Sequence, residues 1–513
     1  MNKVALISVS DKKDIDILAS KLIKNNYTLL STGGTAKFLQ SKGINIIPIS
    51  QFTNFDEILG GRVKTLHPII HAGILAKTEK DLNDLKDDKY HLIDMVIVNL
   101  YPFEKTISQK NCTYSKAIEN IDIGGPTLLR ASAKNHERVT VLTEPEDYQK
   151  VVNEIEENGS ITKTMKRELA AKAFLKVSKY DSMIANYLSE NKNNANLLSN
   201  SINIVSDEIE VLRYGENPHQ KAKLFEVSSP ELAAFDYIQL SGKQISFNNL
   251  VDTESAYSCV EQFKEPSCVI VKHANPCGVA SAKSLDDAYK KAYKTDPTSA
   301  FGGIIAFNKK ISSSLIKKII NKQFVEVIAA PAFDNKASEI IKMKPNVRLL
   351  KIKLKKNSQI YEAKLLRNKL LVQEKDDKKL SLRDLKVVTD KKPTKKELDD
   401  MIFAFKVSRY VKSNAIVLVK NSKTLAIGAG QMSRIDSTNI AINKAKKEKV
   451  SLKGSVMASE AFFPFRDNVD LAKKIGVTAI VQPGGSINDN TIVSAANKLK
   501  LSMCFSGIRV FKH

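Results

Sequence analysis

Val4-Ala5-Leu6-Ile7-Ser8-Val9-Ser10-Asp11 decides the fold of the first part of this chain. Its apolar run reads as a buried strand, and Ser10-Asp11 reads as the N-cap of a helix reaching about Lys24. Tyr27-Thr28-Leu29-Leu30 gives a second strand ending in Ser31-Thr32-Gly33-Gly34-Thr35, and Asp94-Met95-Val96-Ile97-Val98-Asn99-Leu100 a later one. Alternation of this kind predicts an α/β fold, a doubly wound parallel sheet with helices on both faces. Ligands of such sheets bind beyond the carboxyl ends of the strands. The polar clusters Ser8–Lys12, Ser31–Thr35 and Asn99–Phe103 fall there.

Further motifs fill in this first site. The turn Ser31–Lys37 offers backbone N–H groups and hydroxyls to a phosphate. Gly60-Gly61-Arg62-Val63-Lys64-Thr65-Leu66-His67-Pro68 puts two cations, one residue apart, on one side of an extended segment. Ile121-Asp122-Ile123-Gly124-Gly125-Pro126 opens a helix whose first N–H groups are free at the positive end of its dipole, and Arg130 and Lys134 follow on one face. Together these predict an oxyanion- and phosphate-binding constellation. His67 and His71 have the spacing of a metal pair on a helix, but Pro68 argues against helix and no carboxylate completes the set, so no metal is expected.

Beyond residue 145 the pattern is helical to about 190. The Asn-rich stretch Glu190–Asn196 is the best linker, giving domains 1–195 and 200–513. In the second part, Val269-Ile270-Val271 reads as a buried strand, with Lys272-His273 at its end and a Pro/Gly turn in Ala274-Asn275-Pro276-Cys277-Gly278. A histidine beside a lysine is biased toward its neutral form and can accept a proton near pH 7. The lysine can face an oxygen that becomes negative. Asn414 stands just before a second Val/Ile strand, 416–419, and a lysine-rich stretch over 351–397 separates two parts that each hold such motifs.

Composition sets the limits. With 513 residues, two or more domains are expected. Hydrophobic residues at 42% and charged residues at 27% are those of a soluble globular chain. No long apolar run predicts a membrane span, and residues 1–30 lack the order of a signal peptide. Five scattered cysteines without a CxxC pair predict a reducing compartment, the cytoplasm. The net charge of +24 comes from dispersed lysines away from aromatic residues, which favours solvated faces and anionic small substrates over nucleic acid.

The runs Arg213–Gln220, Ser246–Leu250, Lys272–Gly278, Asp296–Gly303, Ala458–Asp467 and Gln482–Ser486, with the N-terminal motifs, resemble the bifunctional PurH family of purine biosynthesis over essentially the whole chain. The resemblance implies a methylglyoxal-synthase-like N-terminal domain that closes formylated 5-aminoimidazole-4-carboxamide ribonucleotide (AICAR) to inosine monophosphate (IMP). It implies a second region of two similar, cytidine-deaminase-like subdomains that formylates AICAR from 10-formyltetrahydrofolate, in a homodimer. For ring closure it implies Lys64 with the Ile123 and Gly124 amides at the oxyanion, Asp122 and Lys134 as proton acceptor and donor, and Tyr101 as orienting group. Ser10, Lys12, Ser31, Thr32, Gly33, Thr35 and Arg62 fall to phosphate and ribose contacts.

For formyl transfer the resemblance implies catalytic Lys272, His273 and Asn414. Substrate or folate contacts fall on Arg213, Tyr214, Asn248, Ser299, Phe301, Gly302, Gly303, Phe463, Arg466, Asp467 and His513. Phe405 replaces an expected tryptophan and is read as a packing residue. Three rival readings are weaker. A zinc deaminase needs His-x-Glu and Pro-Cys-x-x-Cys; here the glutamate and the second cysteine are missing from His273–Ala280. An allosteric nucleotide-binding module would not need both Arg62-Val63-Lys64 and Asp122–Gly125. A nucleic-acid-binding protein would show steeply salt-dependent affinity.

Overall fold

A computed structural model describes residues 3–83, 90–109, 111–189, 202–227, 235–354 and 361–513. The chain forms two compact units, Met1–Val205 and Ser206–His513. The Asn-rich linker expected at 190–196 lies outside the described residues.

The first unit has strands β1 (Lys3–Val9), β2 (Tyr27–Ser31), β3 (Ile47–Pro48), β4 (Met95–Asn99) and β5 (Thr140–Leu142) in the spatial order 3-2-1-4-5. Every neighbouring pair is parallel. Its helices are α1 (Ile15–Lys24), α2 (Gly33–Ser41), α3 (Ile49–Thr53), α4 (Pro68–Leu75), α5 (Glu79–Asn83), α6 (Phe103–Ile107), α7 (Tyr114–Glu119), α8 (Gly124–Lys134), α9 (Tyr148–Asn158) and α10 (Lys163–Ser189). The strand order reverses beside β1, so the carboxyl ends of β1, β2 and β4 face one crevice, as expected for a doubly wound sheet. The expected helical stretch 145–190 is two helices, because Gly159 takes φ +66° and ends α9.

Three local expectations fail in this unit. Helix α1 starts at Ile15, not after Ser10-Asp11, because both of those backbone N–H groups donate to the Asn99 side chain and Asp14 turns into the left-handed region. Pro68 does not prevent a helix: it occupies the first position of α4, where its missing N–H costs nothing, and His67 caps the helix through Nδ1. Arg62 is not in an extended segment but follows a 3₁₀ turn over Leu59–Gly61, with helical φ and ψ.

The second unit begins with a hairpin, β6 (Ser206–Val211) and β7 (Lys223–Val227). Its first half holds β8 (Phe235–Ser241), α11 (Phe247–Val260), β9 (Ser267–Lys272), β10 (Asn275–Ser281), α12 (Leu285–Tyr293), α13 (Pro297–Ala300), β11 (Gly303–Phe307), α14 (Ser313–Lys322), β12 (Val325–Ala330), α15 (Ala337–Ile341) and β13 (Arg348–Leu354). A two-stranded ribbon follows, β14 (Tyr361–Leu366) and β15 (Lys369–Glu374). The second half holds β16 (Lys386–Val387), α16 (Lys395–Ser408), β17 (Ile416–Val419), β18 (Thr424–Gly428), α17 (Arg434–Lys447), β19 (Val456–Ser459), α18 (Asp467–Lys474), β20 (Ala479–Gln482), α19 (Asp489–Lys498) and β21 (Ser502–Phe505). The lysine-rich stretch is thus no plain spacer, since it supplies the end of β13, the ribbon, β16 and the start of α16.

The two halves repeat one topology. The first sheet has the order β10-β9-β11-β12-β13-β8 and the second β18-β17-β19-β20-β21-β16. In both, the central strand of the hairpin is antiparallel to its two neighbours, two parallel steps follow, and an antiparallel edge strand closes the sheet. One apolar core is shared between the halves: Ala256, Tyr257 and Val260 of α11 and Met401, Phe403 and Phe405 of α16 pack with residues from both sheets. Phe405 is a core residue there. Separate cores fill the outer face of each sheet.

The expected Pro/Gly turn after His273 is instead the start of β10. The chain reverses on His273 and Ala274 themselves, both at positive φ (52° and 56°), the pattern of a two-residue hairpin turn. Pro276 is tolerated because β10 is an edge strand. Gly278 lacks a side chain because a Cβ would collide with the Ala292 carbonyl of α12. In the repeat, Gly428 of β18 meets the Ser437 carbonyl of α17 in the same way. Gly428→Ala is therefore expected to destabilise the second unit by about 1–3 kcal/mol; a thermal melt checks this, and an unchanged midpoint would contradict the close packing.

Candidate functional sites

In the first unit the crevice is assembled from the carboxyl ends of β1, β2 and β4, with Lys64 and Asp122 contributed by segments outside the strands. Asn99, at the end of β4, receives the Ser10 and Asp11 amides on Oδ1 and donates from Nδ2 to the Asp11 carbonyl at 3.0 Å. This fixes the loop that carries Lys12. The Lys12 ammonium donates to Thr35 Oγ1 at 2.8 Å and to the Val9 carbonyl. Burial lowers its pKa, Asp11 opposes that shift, and the neighbouring charge of Lys64 adds to it. Two ammonium groups that feel each other at the mouth of a crevice favour an anion between them.

The hydroxyl groups of the expected phosphate cradle serve the loop itself. Ser31 donates to the Ile7 carbonyl at 2.8 Å, Thr32 pairs with Ser8 at 2.9 Å, and Thr35 is bonded to both backbone groups of Val9. All three residues are buried. Gly33 and Gly34, by contrast, are exposed at the N-terminus of α2, with open space where side chains would stand. Backbone N–H groups at the start of a helix, at the positive end of its dipole, are the kind of group that receives an anion.

Asp122 lies at the other wall. Its backbone N–H donates to Tyr180 of α10 at 2.8 Å, and its carboxylate receives the Gly125 amide at 2.8 Å and the Tyr101 amide at 3.4 Å. The Gly125 N–H is thus not free, and a Cβ there would press on the Asp122 carboxylate. Burial raises the Asp122 pKa, while those two amides and the Lys64 charge pull it down. Lys64 is the common element: its charge reaches both Lys12 and Asp122. Ile123 and Gly124 open α8 next to it, Ile123 well exposed, and the Tyr101 side chain is half exposed.

Two further expected residues lie on neighbouring elements. Lys134 closes α8, ten residues beyond Gly124, which is about 15 Å along the helix axis. Arg62 is exposed and paired with Glu119. The two histidines also diverge: His67 caps α4, and His71 has a buried Nε2 without a hydrogen-bond partner. Among the described residues no group of three or more His, Cys, Asp or Glu side chains is placed to hold a metal ion.

In the second unit, α11 organises the site. Ser246 and Asn249 form a reciprocal cap at its start. Asn248, Asp252 and Ser255 then follow at i, i+4 and i+7, on one face. Asn248 donates to the Glu216 carbonyl at 3.0 Å, holding the Arg213–Gln220 loop against the helix. Arg213 stacks over the Tyr214 ring at 5.2 Å, and its charge is felt by the buried Arg348. Asp252 receives the Ala274 amide at 2.6 Å, and Ser255 donates to the Ala274 carbonyl at 3.0 Å. Burial raises the Asp252 pKa against the pull of the Ala274 and His273 amides and of the His273 and Lys272 charges.

The turn so held presents Lys272 and His273. Lys272 Nζ donates to the Phe301 and Gly302 carbonyls at 3.2 and 3.1 Å. Gly302 takes φ +67°, and Gly303 runs buried into β11. Ser299 is engaged with Asp296 through both its amide and its hydroxyl. The Phe301 ring is 63% exposed and lines a cavity of about 340 Å³ with Phe324, Tyr293, Lys322 and Lys344.

Asn275 links this turn to the other half of the repeat: Nδ2 donates to the His273 carbonyl at 3.2 Å, and Oδ1 receives the Lys412 amide at 2.9 Å. Asn414 is two residues on. Its Nδ2 donates to the Gln431 and Met432 carbonyls at 2.9 and 3.1 Å, and its Oδ1 receives Arg434 at 2.8 Å. Both amide hydrogens are therefore engaged, and holding a formyl oxygen requires one of them to let go. The chain end lies alongside, since the Ser413 amide donates to the Lys512 carbonyl at 2.9 Å and the His513 ring sits 5.5 Å from Phe511.

The Phe463 side chain is fully buried in the outer core of the second half, which leaves it to packing, whereas Phe465 nearby is exposed. Arg466 is bonded to Asp470 at 2.8 Å, and Asp467 caps the Asn468 amide at 2.7 Å. Sequence reasoning assigned no role to Asn99, Asp252, Asn275, Arg434 or Glu460. Asn99 and Asn275 lay inside quoted motifs at strand ends, which is the signal that could have found them.

Comparison with known proteins agrees with this architecture. Residues 14–127 match the model of the MGS-like domain, and residues 132–444, more than half of the chain, match that of the AICARFT/IMPCHase bienzyme. The chain belongs to the AICARFT/IMPCHase bienzyme family. It is a bifunctional enzyme of purine biosynthesis, joining an AICAR formyltransferase to an IMP cyclohydrolase. Among solved structures, that of ForH is 32% identical, matches 37% of this chain and 100% of its own, and superposes with a TM-score of 0.33.

The Lys64–Asp122 relation has a measurable consequence. Asp122 is the proton acceptor expected from the sequence; in that role it must be ionised, so the acid limb of the cyclisation rate should lie above the ordinary aspartate value of about 3.9. The Lys64 charge pulls the Asp122 pKa down, so Lys64→Met should move the acid limb to higher pH as well as lower the rate. A pH–rate profile checks this; an unmoved limb would mean that Asp122 is not the titrating group.

Proposed function

We propose that residues 1–195 carry out ring closure and residues 200–513 formyl transfer, with the residues named above in separate roles. The donor is 10-formyltetrahydrofolate. The arylamine of AICAR is a poor nucleophile, because its lone pair is delocalised into the ring and carboxamide. As it attacks the formyl carbon its proton passes to His273, and the tetrahedral oxyanion is met by Lys272 and the Asn414 amide. The bond from the formyl carbon to N10 of the folate then breaks, and N10 takes a proton as tetrahydrofolate leaves. The observation that carries this reading is the α11 face, which brings the Arg213–Tyr214 loop, the Lys272-His273 turn and, through Asn275, the Asn414 segment together.

In the first unit the carboxamide nitrogen attacks the formyl carbon of the same molecule, and the formyl oxygen leaves as water. Correct folding of the substrate does much of the work. Lys64 and the Ile123 and Gly124 amides face the oxyanion, Asp122 accepts the carboxamide proton, and Lys12 with the Gly33-Gly34 backbone holds the phosphate. Lys134 gives a proton to the oxygen that leaves as water, while the formylated amine nitrogen loses its own proton as the C=N bond forms. The partners are these small molecules, without nucleic acid or membrane, and the enzyme acts as a homodimer in the cytoplasm. Dispersed positive charge and five free cysteines support that setting. Among the described residues no helix is long and apolar enough to cross a membrane.

His273→Ala and Lys272→Ala are each expected to lower formyl transfer by about 10²-fold, the usual range for a proton-transfer group, and to leave cyclisation nearly unchanged. Assaying the two half-reactions separately checks this, and loss of cyclisation with formyl transfer spared would reverse the assignment. A fragment of residues 1–205 should cyclise formyl-AICAR and not formylate AICAR. Absence of cyclisation in a folded, dimeric fragment would contradict independent sites.

A further inference from the structure

Glu460 is a fully buried carboxylate at the end of β19, 0% exposed. It faces Arg434, itself 8% exposed, with Oε1 2.9 Å from Nη2. Ser413 donates to the same oxygen at 3.2 Å, while the neighbouring Ser459 hydroxyl donates to the Ala461 carbonyl at 2.7 Å. The backbone carbonyl of Glu460 receives the Val510 amide of the chain end at 3.0 Å. An ion pair buried this deeply is weak support for stability, because desolvating both charges offsets most of their attraction. Its geometry points elsewhere.

The same Arg434 nitrogen that meets Glu460 also donates to Asn414 Oδ1 at 2.8 Å, while Nη1 donates to the Phe462 carbonyl at 3.0 Å. A guanidinium carries only donors, so it fixes which end of the Asn414 amide it faces. With Oδ1 held, Nδ2 must point away from Arg434, toward Gln431 and Met432. Ser413, joined to Asn414 by one peptide bond, is tied to the same carboxylate. Glu460 thus clamps Asn414 from two directions without touching it.

We infer that Glu460 is a positioning residue for formyl transfer, acting through Arg434 and Ser413 to set the orientation of the Asn414 amide. The inference rests on the proposed role of Asn414. It deepens that role by giving the fully buried carboxylate a purpose beyond stability. Without the carboxylate, Arg434 is left charged and unpaired in the interior and turns toward other acceptors, releasing the amide.

The test is a double-mutant cycle on the full-length enzyme, with Glu460→Gln, Arg434→Lys and the pair, read by kcat and KM for formyl transfer and by cyclisation. Glu460→Gln keeps the shape and removes the charge; Arg434→Lys keeps the charge and removes the fork. Each single variant is expected to lower kcat by about 10²-fold, the loss that a misplacement near 1 Å can cause, with KM for AICAR little changed and cyclisation intact. The double variant should be no slower than the slower single, because both changes break the same linkage. Losses that multiply, or a Glu460→Gln enzyme with unchanged kcat, would overturn the inference. If Glu460→Gln fails to fold, Glu460→Asp replaces it in the cycle under the same criteria. Lack of formyl transfer in the wild-type enzyme would instead count against the proposed function.

Discussion

The second site depends on one hydrogen bond, from the Ala274 amide to the Asp252 carboxylate at 2.6 Å. Two consecutive non-glycine residues at positive φ are unfavourable, and such turns usually recruit Asn and Gly. His273 and Ala274 adopt that conformation because Asp252 and Ser255 hold both backbone groups of Ala274. The strain is local and is met by a helix whose other faces are locked in the core shared by the two halves. Rigid support under a strained turn is the usual way a reactive side chain is presented at a strand end.

The duplicated topology explains the placement of the remaining groups. In each half a helix, α11 or α16, precedes the central strand of the hairpin and fills the shared core. The first copy uses the far end of its central strand, where Lys272 and His273 stand, and the second uses the near end, where Asn414 stands. Edge strands β10 and β18 meet through the Ser281 amide on the Ser422 carbonyl and the Val279 amide on the Thr424 hydroxyl. One fold used twice thus supplies different chemistry from its two copies. The first unit works differently, with a crevice at the reversal point of a parallel sheet and Lys64 as the charge common to both walls.

Much of this was legible in the sequence where the signal is local. The strands at Val4–Val9, Tyr27–Leu30 and Val269–Lys272 follow from apolar runs, and the site residues from polar groups at their ends. What failed was decided by distant partners. Ser10-Asp11 has ideal capping chemistry, yet Asn99, close to ninety positions away, takes its amides. Pro276 and Gly278 have turn chemistry, yet they suit an edge strand and a closely packed helix. The Arg434–Glu460 pair joins two elements that only the sheet order brings together, and the buried side chain of Phe463 looks no different in sequence from the exposed one of Phe465. The repeat itself was invisible, because the two halves share strand order and not residues.

The central claim is that one chain moves a formyl carbon from folate to AICAR and then closes the ring around it. Following ¹³C-formyl-labelled 10-formyltetrahydrofolate with AICAR and the purified enzyme by NMR tests this most directly. The account predicts that the label passes through formyl-AICAR and ends as carbon 2 of the purine ring of IMP. Label that remains on the folate, or is released as formate with no purine formed, would contradict it.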